Sequence, residues 1–307
     1  MNDKKVLFIS YGVGGAEAIY SVYPYLKNEY KDVRNITITP FAKTKVNDST
    51  YIDENLILDY IRKEKPDVLI NERSNGLVIQ NKITNLCREL GILNIALLDF
   101  YGKYTERFEA VPDIIISPSK SITDEMIDDG FAEGSIVTAG NPAFDRLDKY
   151  KSKKSRNNTS PKIVFMSQPL RETDHLDSQY DIFNKFILEL TEVYDHYKID
   201  VKVHPNENIK EWQDFVENLK DVNVLNVGTA KDFLEEVSEY DLVAGYNSTL
   251  MLQTYMMGIP TIYYEMEGTK EALINFKNGS GELQYIKYGD FEKNSIDKVL
   301  KVIKNLI

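Results

Sequence analysis

Short, continuous apolar runs alternate along this chain with longer stretches of helical period, and few folds accept that pattern. In the first half the runs are Val6–Ser10, Ile36–Thr39, Val68–Asn71, Ile95–Leu98, Ile114–Ser117 and Ile136–Ala139. A run apolar at every position is a strand covered on both faces. Parallel strands covered on both faces are joined by helical crossovers. The intervening segments Glu17–Glu29, Glu54–Lys63, Leu77–Leu90 and Ser121–Asp129 have the required period, with Gly91 and Gly130 where a helix C′ residue belongs. The expected class is therefore α/β, built on parallel sheets.

A polar, basic stretch without periodicity, from Tyr150 to Pro161, interrupts the alternation, which then restarts. The second set of strands is Ile163–Met166, Asp200–Val203, Val222–Leu225, Leu242–Gly245 and Thr261–Tyr264. Helices are expected near Tyr180–Tyr197, Ile209–Leu219, Ala230–Ser238, Leu250–Met257 and Ser295–Ile307. A chain of 307 residues holds two domains comfortably. The boundaries predicted are 1–148 for an N-terminal Rossmann-like domain, 149–161 for a linker and 162–307 for a C-terminal Rossmann-like domain.

With 48 acidic and 37 basic residues the net charge is −11, which argues against nucleic acid or anionic lipid as a partner. The single cysteine, Cys87, excludes an internal disulfide and a cysteine-cluster metal site, and reads as a small buried apolar residue. The first residues run into a strand with no apolar leader, and no apolar run reaches the roughly 18 residues of a membrane span. A cytoplasmic protein is expected, with room for peripheral contact with a membrane.

Three segments could carry chemistry. Ser10-Tyr-Gly-Val-Gly-Gly-Ala-Glu17 joins the first strand to the first helix, where open α/β sheets place ligands. Gly12, Gly14 and Gly15 would let the backbone approach a phosphate or sugar, here on the acceptor side. Glu17 falls where a dinucleotide fingerprint needs a small residue, so nicotinamide or flavin binding is not expected. In Val201-Lys-Val-His204-Pro205-Asn206-Glu207 a histidine leaves a strand at the carboxyl edge, able to donate to a phosphate oxygen. Asp241-Leu-Val-Ala-Gly-Tyr-Asn247-Ser248-Thr249 runs from a strand into a helix start. Its residues could be a plain N-cap, or an anion site at the helix terminus. His204 and Ser248 are expected to converge on one phosphate.

The His204-Pro205 turn, followed about 40 residues later by Gly-Tyr-Asn247-Ser248-Thr249, a short helix and Gly258-Ile-Pro260, resembles the C-terminal half of GT-B glycosyltransferases. It is most similar to bacterial sialyltransferases, capsule Kdo transferases and polyol-phosphate transferases, in which both motifs hold the nucleotide. The stretches Ile116-Ser-Pro-Ser119, Asp129-Gly-Phe and Ile136-Val-Thr-Ala-Gly-Asn-Pro142-Ala-Phe-Asp145 resemble UDP-N-acetylglucosamine 2-epimerases and their transferase relatives. Asp128-Asp129-Gly130 matches the acid-acid-glycine motif of the sialyltransferase group, but its setting is a helix end.

This resemblance implies two Rossmann-like domains facing each other across a cleft, with the final helix crossing back onto the first domain. It implies a glycosyltransferase that moves a sugar from a CMP-, CDP- or UDP-linked donor to a glycan or small-molecule acceptor, in surface polysaccharide synthesis. The nucleotide would meet His204, Pro205, Asn247, Ser248 and Thr249. Glu17, Glu72 and Asp99 each follow a strand of the first half and are candidate bases, unranked. No metal site and no cofactor beyond the nucleotide-sugar substrate are expected. The alternatives are an epimerase or hydrolase acting on a nucleotide sugar, and a non-catalytic nucleotide-sugar-binding protein on the same fold.

Overall fold

A computed structural model of the chain describes residues 2–46, 48–73, 77–99, 102, 104–151, 159–169, 178–204, 206–225, 230–246, 248–263 and 291–307. The chain divides into two compact units, Met1–Arg146 together with Asp290–Ile307, and Leu147–Gly289.

The first unit contains β1 (Asn2–Ser10), α1 (Val13–Lys27), β2 (Tyr30–Thr37), α2 (Pro40–Lys45) and β3 (Thr50–Tyr51). They are followed by α3 (Ile57–Glu64), β4 (Val68–Arg73), α4 (Leu77–Leu90), β5 (Leu93–Leu98) and α5 (Tyr104–Arg107). Then come β6 (Ile114–Ser117), α6 (Lys120–Asp128), β7 (Ile136–Thr138) and a 3₁₀ stretch over Pro142–Tyr150, whose residues after Arg146 count with the second unit. The seven strands form one sheet in the order β3-β2-β1-β4-β5-β6-β7, every pair parallel. The pleat sorts the side chains. Leu7, Ile9 and Leu69 face Ile57 and Ile61 of α3 and Ile79, Ile83 and Cys87 of α4. Phe8 meets Tyr23 of α1 edge to face at 5.7 Å, on the opposite side. Cys87 is buried in this core, and burial pushes its thiol up to about 12.

The second unit contains β8 (Lys162–Met166), α7 (Gln179–Val193), β9 (Lys198–Lys202), α8 (Ile209–Val216) and β10 (Val222–Leu225). It continues through α9 (Ala230–Val237), β11 (Leu242–Gly245), α10 (Thr249–Met256) and β12 (Thr261–Tyr263). Its five strands are parallel, in the order β10-β9-β8-β11-β12. Ile163 and Phe165 of β8 pack with Phe183 and Phe186 of α7 and Trp212 of α8. Tyr246, fully buried, closes that core beside Phe165.

The last helix, α11 (Ser295–Leu306), counts with the first unit, where it packs on α1. Asp145 fixes it by accepting the backbone N–H groups of Ser295 (2.9 Å) and Ile296 (2.8 Å) at its first turn. The architecture is two parallel sheets, each flanked by helices, as in a two-Rossmann GT-B-like fold. Most of the predicted linker, residues 152–158, lies outside the described residues. No helix among the described residues is long and apolar enough to cross a membrane.

Several boundaries correct the expectation: β2 begins at Tyr30 and not at Ile36, α7 ends at Val193 and not at Tyr197, and the start of α1 moves as well. The helix foreseen from Glu17 begins at Val13, with Gly12 as its N-cap, so Gly14 and Gly15 lie in its first turn and not in a loop. The reason is steric. A Cβ on Gly14 would lie 2.6 Å from Asp99 Oδ2, and one on Gly15 would lie 2.2 Å from Glu72 Cγ. The helix start is pressed against two carboxylates, and only glycine fits there.

Candidate functional site

Strand order in the first unit reverses between β1 and β4, the kind of crevice in which open α/β sheets bind ligands beyond the carboxyl ends. All three candidate acids gather there. Glu72, on β4, is buried, and its Oε1 accepts the backbone N–H groups of Tyr11 (2.7 Å) and Gly12 (2.8 Å). The Gln80 amide on α4 donates to its Oε2 at 3.2 Å. Glu17, in α1, pairs with Arg146 (Nη2 to Oε2, 2.6 Å), both largely shielded from solvent. Asp99 leaves β5 with its own N–H donated to Arg73 O at 2.8 Å.

Burial pushes the Asp99 carboxyl well above the usual carboxylate range. The neighbouring Glu72 and Glu17 add to the shift, while hydrogen bonds from the Asn141 side chain and the Gly15 N–H oppose it. A group of acids in which one holds its proton is suited to general acid–base work. Arg73 is not part of the crevice. It is fully buried on the opposite face, donating to Asn81 Oδ1 (2.9 Å), Thr84 Oγ1 (2.8 Å) and Ala110 O (2.6 Å), and burial brings it down to about 10.

In the second unit the order reverses between β8 and β11. Three loops meet the carboxyl edge here. After β9, the His204 N–H donates to Glu207 Oε2 (2.8 Å), and the Asn206 N–H donates to His204 Nδ1 (3.1 Å). A backbone N–H can only donate, so Nδ1 carries the lone pair and the ring proton sits on Nε2. Burial of the imidazole lowers its proton affinity, with Lys202 adding to that and Glu207 opposing it. After β8, Ser167 Oγ donates to Glu207 Oε1 (2.7 Å). After β11, the Tyr246 hydroxyl donates to Gln168 O (2.6 Å) and accepts from Gln168 N (3.0 Å). Ser248 caps α10, its Oγ accepting the Leu250 N–H at 3.3 Å. Pro205 and Asn247 lie outside the described residues, as do the Thr249 side chain and His175.

Asp128 ends α6, Asp129 is its C-cap and Gly130 follows at φ +95°, the geometry of a helix stop. Among the described residues no group of three His, Cys, Asp or Glu is placed to hold a metal ion. Sequence reasoning passed over Asn141, Arg146, Ser167, Glu207 and Tyr246. Asn141 and Ser167 carried a usable signal, since each closely follows a strand at the carboxyl edge.

The family model for alpha-2,8-polysialyltransferase (POLYST) matches residues 131–265, less than half of the chain, a span that includes His204 and Ser248. No curated protein matches in sequence. Among solved structures, the UDP-GlcNAc 2-epimerase of Methanocaldococcus jannaschii in complex with UDP-GlcNAc and UDP superposes with a TM-score of 0.70 at 13% identity, over 98% of this chain and 99% of that one. The S. aureus MnaA–UDP structure gives 0.66 at 12%, over 87% and 81%. The lipopolysaccharide outer core galactosyltransferase WaaB, in its apo form, gives 0.58 at 13%, over 99% and 100%. At these identities the likeness is one of fold, and the fold is GT-B-like.

Proposed function

We propose that the chain is a nucleotide-sugar-processing enzyme that breaks the bond between an anomeric carbon and a nucleoside phosphate. The candidate nucleotide-binding loops lie in the second unit, and the candidate acid and base groups, taken by themselves, are the carboxylates of the first. The observation that carries this reading is the pair of polar loops flanking β8 within the polysialyltransferase match. His204 follows β9 and offers a neutral Nε2–H, and Ser248 opens α10 after β11. At about 4.8 Å between strands, the ends of β9 and β11 stand about 10 Å apart, room for a nucleoside phosphate to lie across the end of β8. A phosphate there would meet one imidazole donor and the N-terminal end of α10.

In the first unit, burial favours the protonated form of Asp99, and the neighbouring Glu72 and Glu17 add to that. Such a set can protonate a leaving oxygen or take a proton from an attacking hydroxyl. Epimerisation of the bound sugar is supported by 2-epimerases among the solved neighbours, that of Methanocaldococcus jannaschii being matched over 98% of this chain and 99% of its own. Transfer to an acceptor is favoured by the family model over the nucleotide-binding loops. The test is incubation with CMP-, CDP- and UDP-linked sugars, followed by NMR of the sugar and assay of free nucleotide. A changed sugar configuration without acceptor supports epimerisation, and nucleotide release that needs an acceptor supports transfer. Binding without turnover leaves a nucleotide-sugar-binding protein, and absence of binding removes the reading.

A further inference from the structure

Glu207 has no part in the chemistry above, yet its carboxylate joins three elements at the carboxyl edge of the second sheet. Oε1 accepts from Ser167 Oγ (2.7 Å) and from Trp212 Nε1 (3.0 Å), and Oε2 accepts from the His204 N–H (2.8 Å). The Glu207 N–H donates in return to His204 O at 2.9 Å, closing the turn. Trp212 is wholly buried in the core, so one end of this bracket is immobile. Ser167 Oγ also lies 3.3 Å from the Tyr246 hydroxyl, which is bolted to the Gln168 backbone. The ends of β9, β8 and β11 are thus joined by one transverse chain of hydrogen bonds.

We propose that Glu207 is a positioning residue that presents His204 to a phosphate oxygen. By holding the turn over residues 204–207 closed, it keeps the Asn206 N–H against Nδ1 and so confines the ring proton to Nε2. The functional consequence rests on the nucleotide reading given above, but the geometry does not. Only a carboxylate can accept at both oxygens. A glutamine would serve Ser167 and Trp212 through its carbonyl and set its NH₂ against the His204 N–H, donor against donor. The turn then opens, Asn206 leaves Nδ1, and the ring populates both tautomers.

The experiment is long-range ¹H–¹⁵N spectroscopy of the full chain at pH 8, paired with titration by CMP and UMP. The chain has three histidines, so the His204 signals are assigned by their loss in His204→Gln. The unaltered chain is expected to show His204 wholly as the Nε2–H tautomer. Glu207→Gln is expected to show mixed tautomers and affinity lower by about twofold, the factor by which an even mixture dilutes the competent tautomer. If the unaltered chain already shows mixed tautomers, the inference is overturned whether or not the variant folds. It is equally overturned if Glu207→Gln keeps a pure Nε2–H ring, or mixes tautomers with unchanged affinity. If neither nucleotide binds the unaltered chain, the nucleotide reading fails, and the tautomer comparison still decides the role of Glu207.

Discussion

Gly15 and Glu72 meet so closely that a methyl group on the glycine would stand 2.2 Å from the glutamate Cγ. Glu72 cannot retreat without giving up the Tyr11 and Gly12 amides that its Oε1 accepts. Gly15→Ala should therefore destabilise the chain by about 1–3 kcal/mol, the usual range for overpacking. Urea unfolding would show a lower midpoint at unchanged slope. In the double variant Gly15→Ala/Glu72→Ala the losses should be less than additive, since the clash disappears with the side chain. Full additivity would mean the two residues do not constrain one another.

Asp99 yields a prediction about pH. Below about pH 3.9, the ordinary aspartate value, its carboxyl is neutral in both folded and unfolded chains. Above that, the unfolded chain ionises first while the folded carboxyl stays protonated, so folding loses stability as pH rises until the folded group ionises as well. Asparagine cannot ionise. The melting temperature of Asp99→Asn minus that of the unaltered chain should widen from about pH 4 upward and then level off, while turnover is lost. A gap that narrows with rising pH would contradict the raised carboxyl.

For the loops proposed to bind nucleotide, His204→Ala should weaken binding roughly ten- to hundred-fold, the loss of a hydrogen bond to a charged group worth about 1.5–3 kcal/mol. Its melting temperature should move little, because the partly exposed ring is not among the residues of the core. Ser248→Ala should cost about 1 kcal/mol of stability as well, through the lost cap of α10. Calorimetry with CMP, CDP, UMP and UDP, repeated in EDTA, reads both effects, and affinities should be the same with the chelator. Unfolding of His204→Ala with affinity intact would make the histidine structural.

Asp145 is the fourth target. Its carboxylate takes two N–H groups at the start of α11, so Asp145→Ala should cost about 0.5–2 kcal/mol. Amide exchange across Ser295–Leu306 should rise first, because the loss is local to that helix. Uniform acceleration over the whole first unit would show that the cap is not a local fastening.

Strands that are apolar runs were legible in the sequence, and Val68, Ile95 and Ile163 lie where that rule puts them; β2, with the polar sequence YKDVRNIT over Tyr30–Thr37, was legible only at its last two residues. The start of α1 was not. Glycine costs about 1 kcal/mol within a helix, so Gly14 and Gly15 read as loop until the carboxylates pressing on them are seen. Two-residue β3 and four-residue α5 are too short to carry a period. Glu17, Glu72 and Asp99 could be recognised one by one as acids near strand ends. Their meeting depends on strand order, which puts β1 beside β4 and β4 beside β5, and no local pattern encodes that. Glu207 was in view beside His204, but an acid after a His-Pro turn reads as a solvated charge until Ser167 and Trp212 are found on it.

Because α11 belongs to the first unit, that unit is finished only after everything between Arg146 and Asp290 has been synthesised. Val299, Leu300 and Ile303 are buried in the folded chain, and α11 packs on α1. A nascent chain that has emerged only to Arg146 therefore lacks the helix that covers α1, while residues 147–289 can complete their own sheet. The seven strands of the first unit are all made by Thr138, so its sheet can form early, and only the covering of α1 waits for the last helix. Until α11 arrives, the surface of α1 that it covers stays open to proteolysis and to self-association.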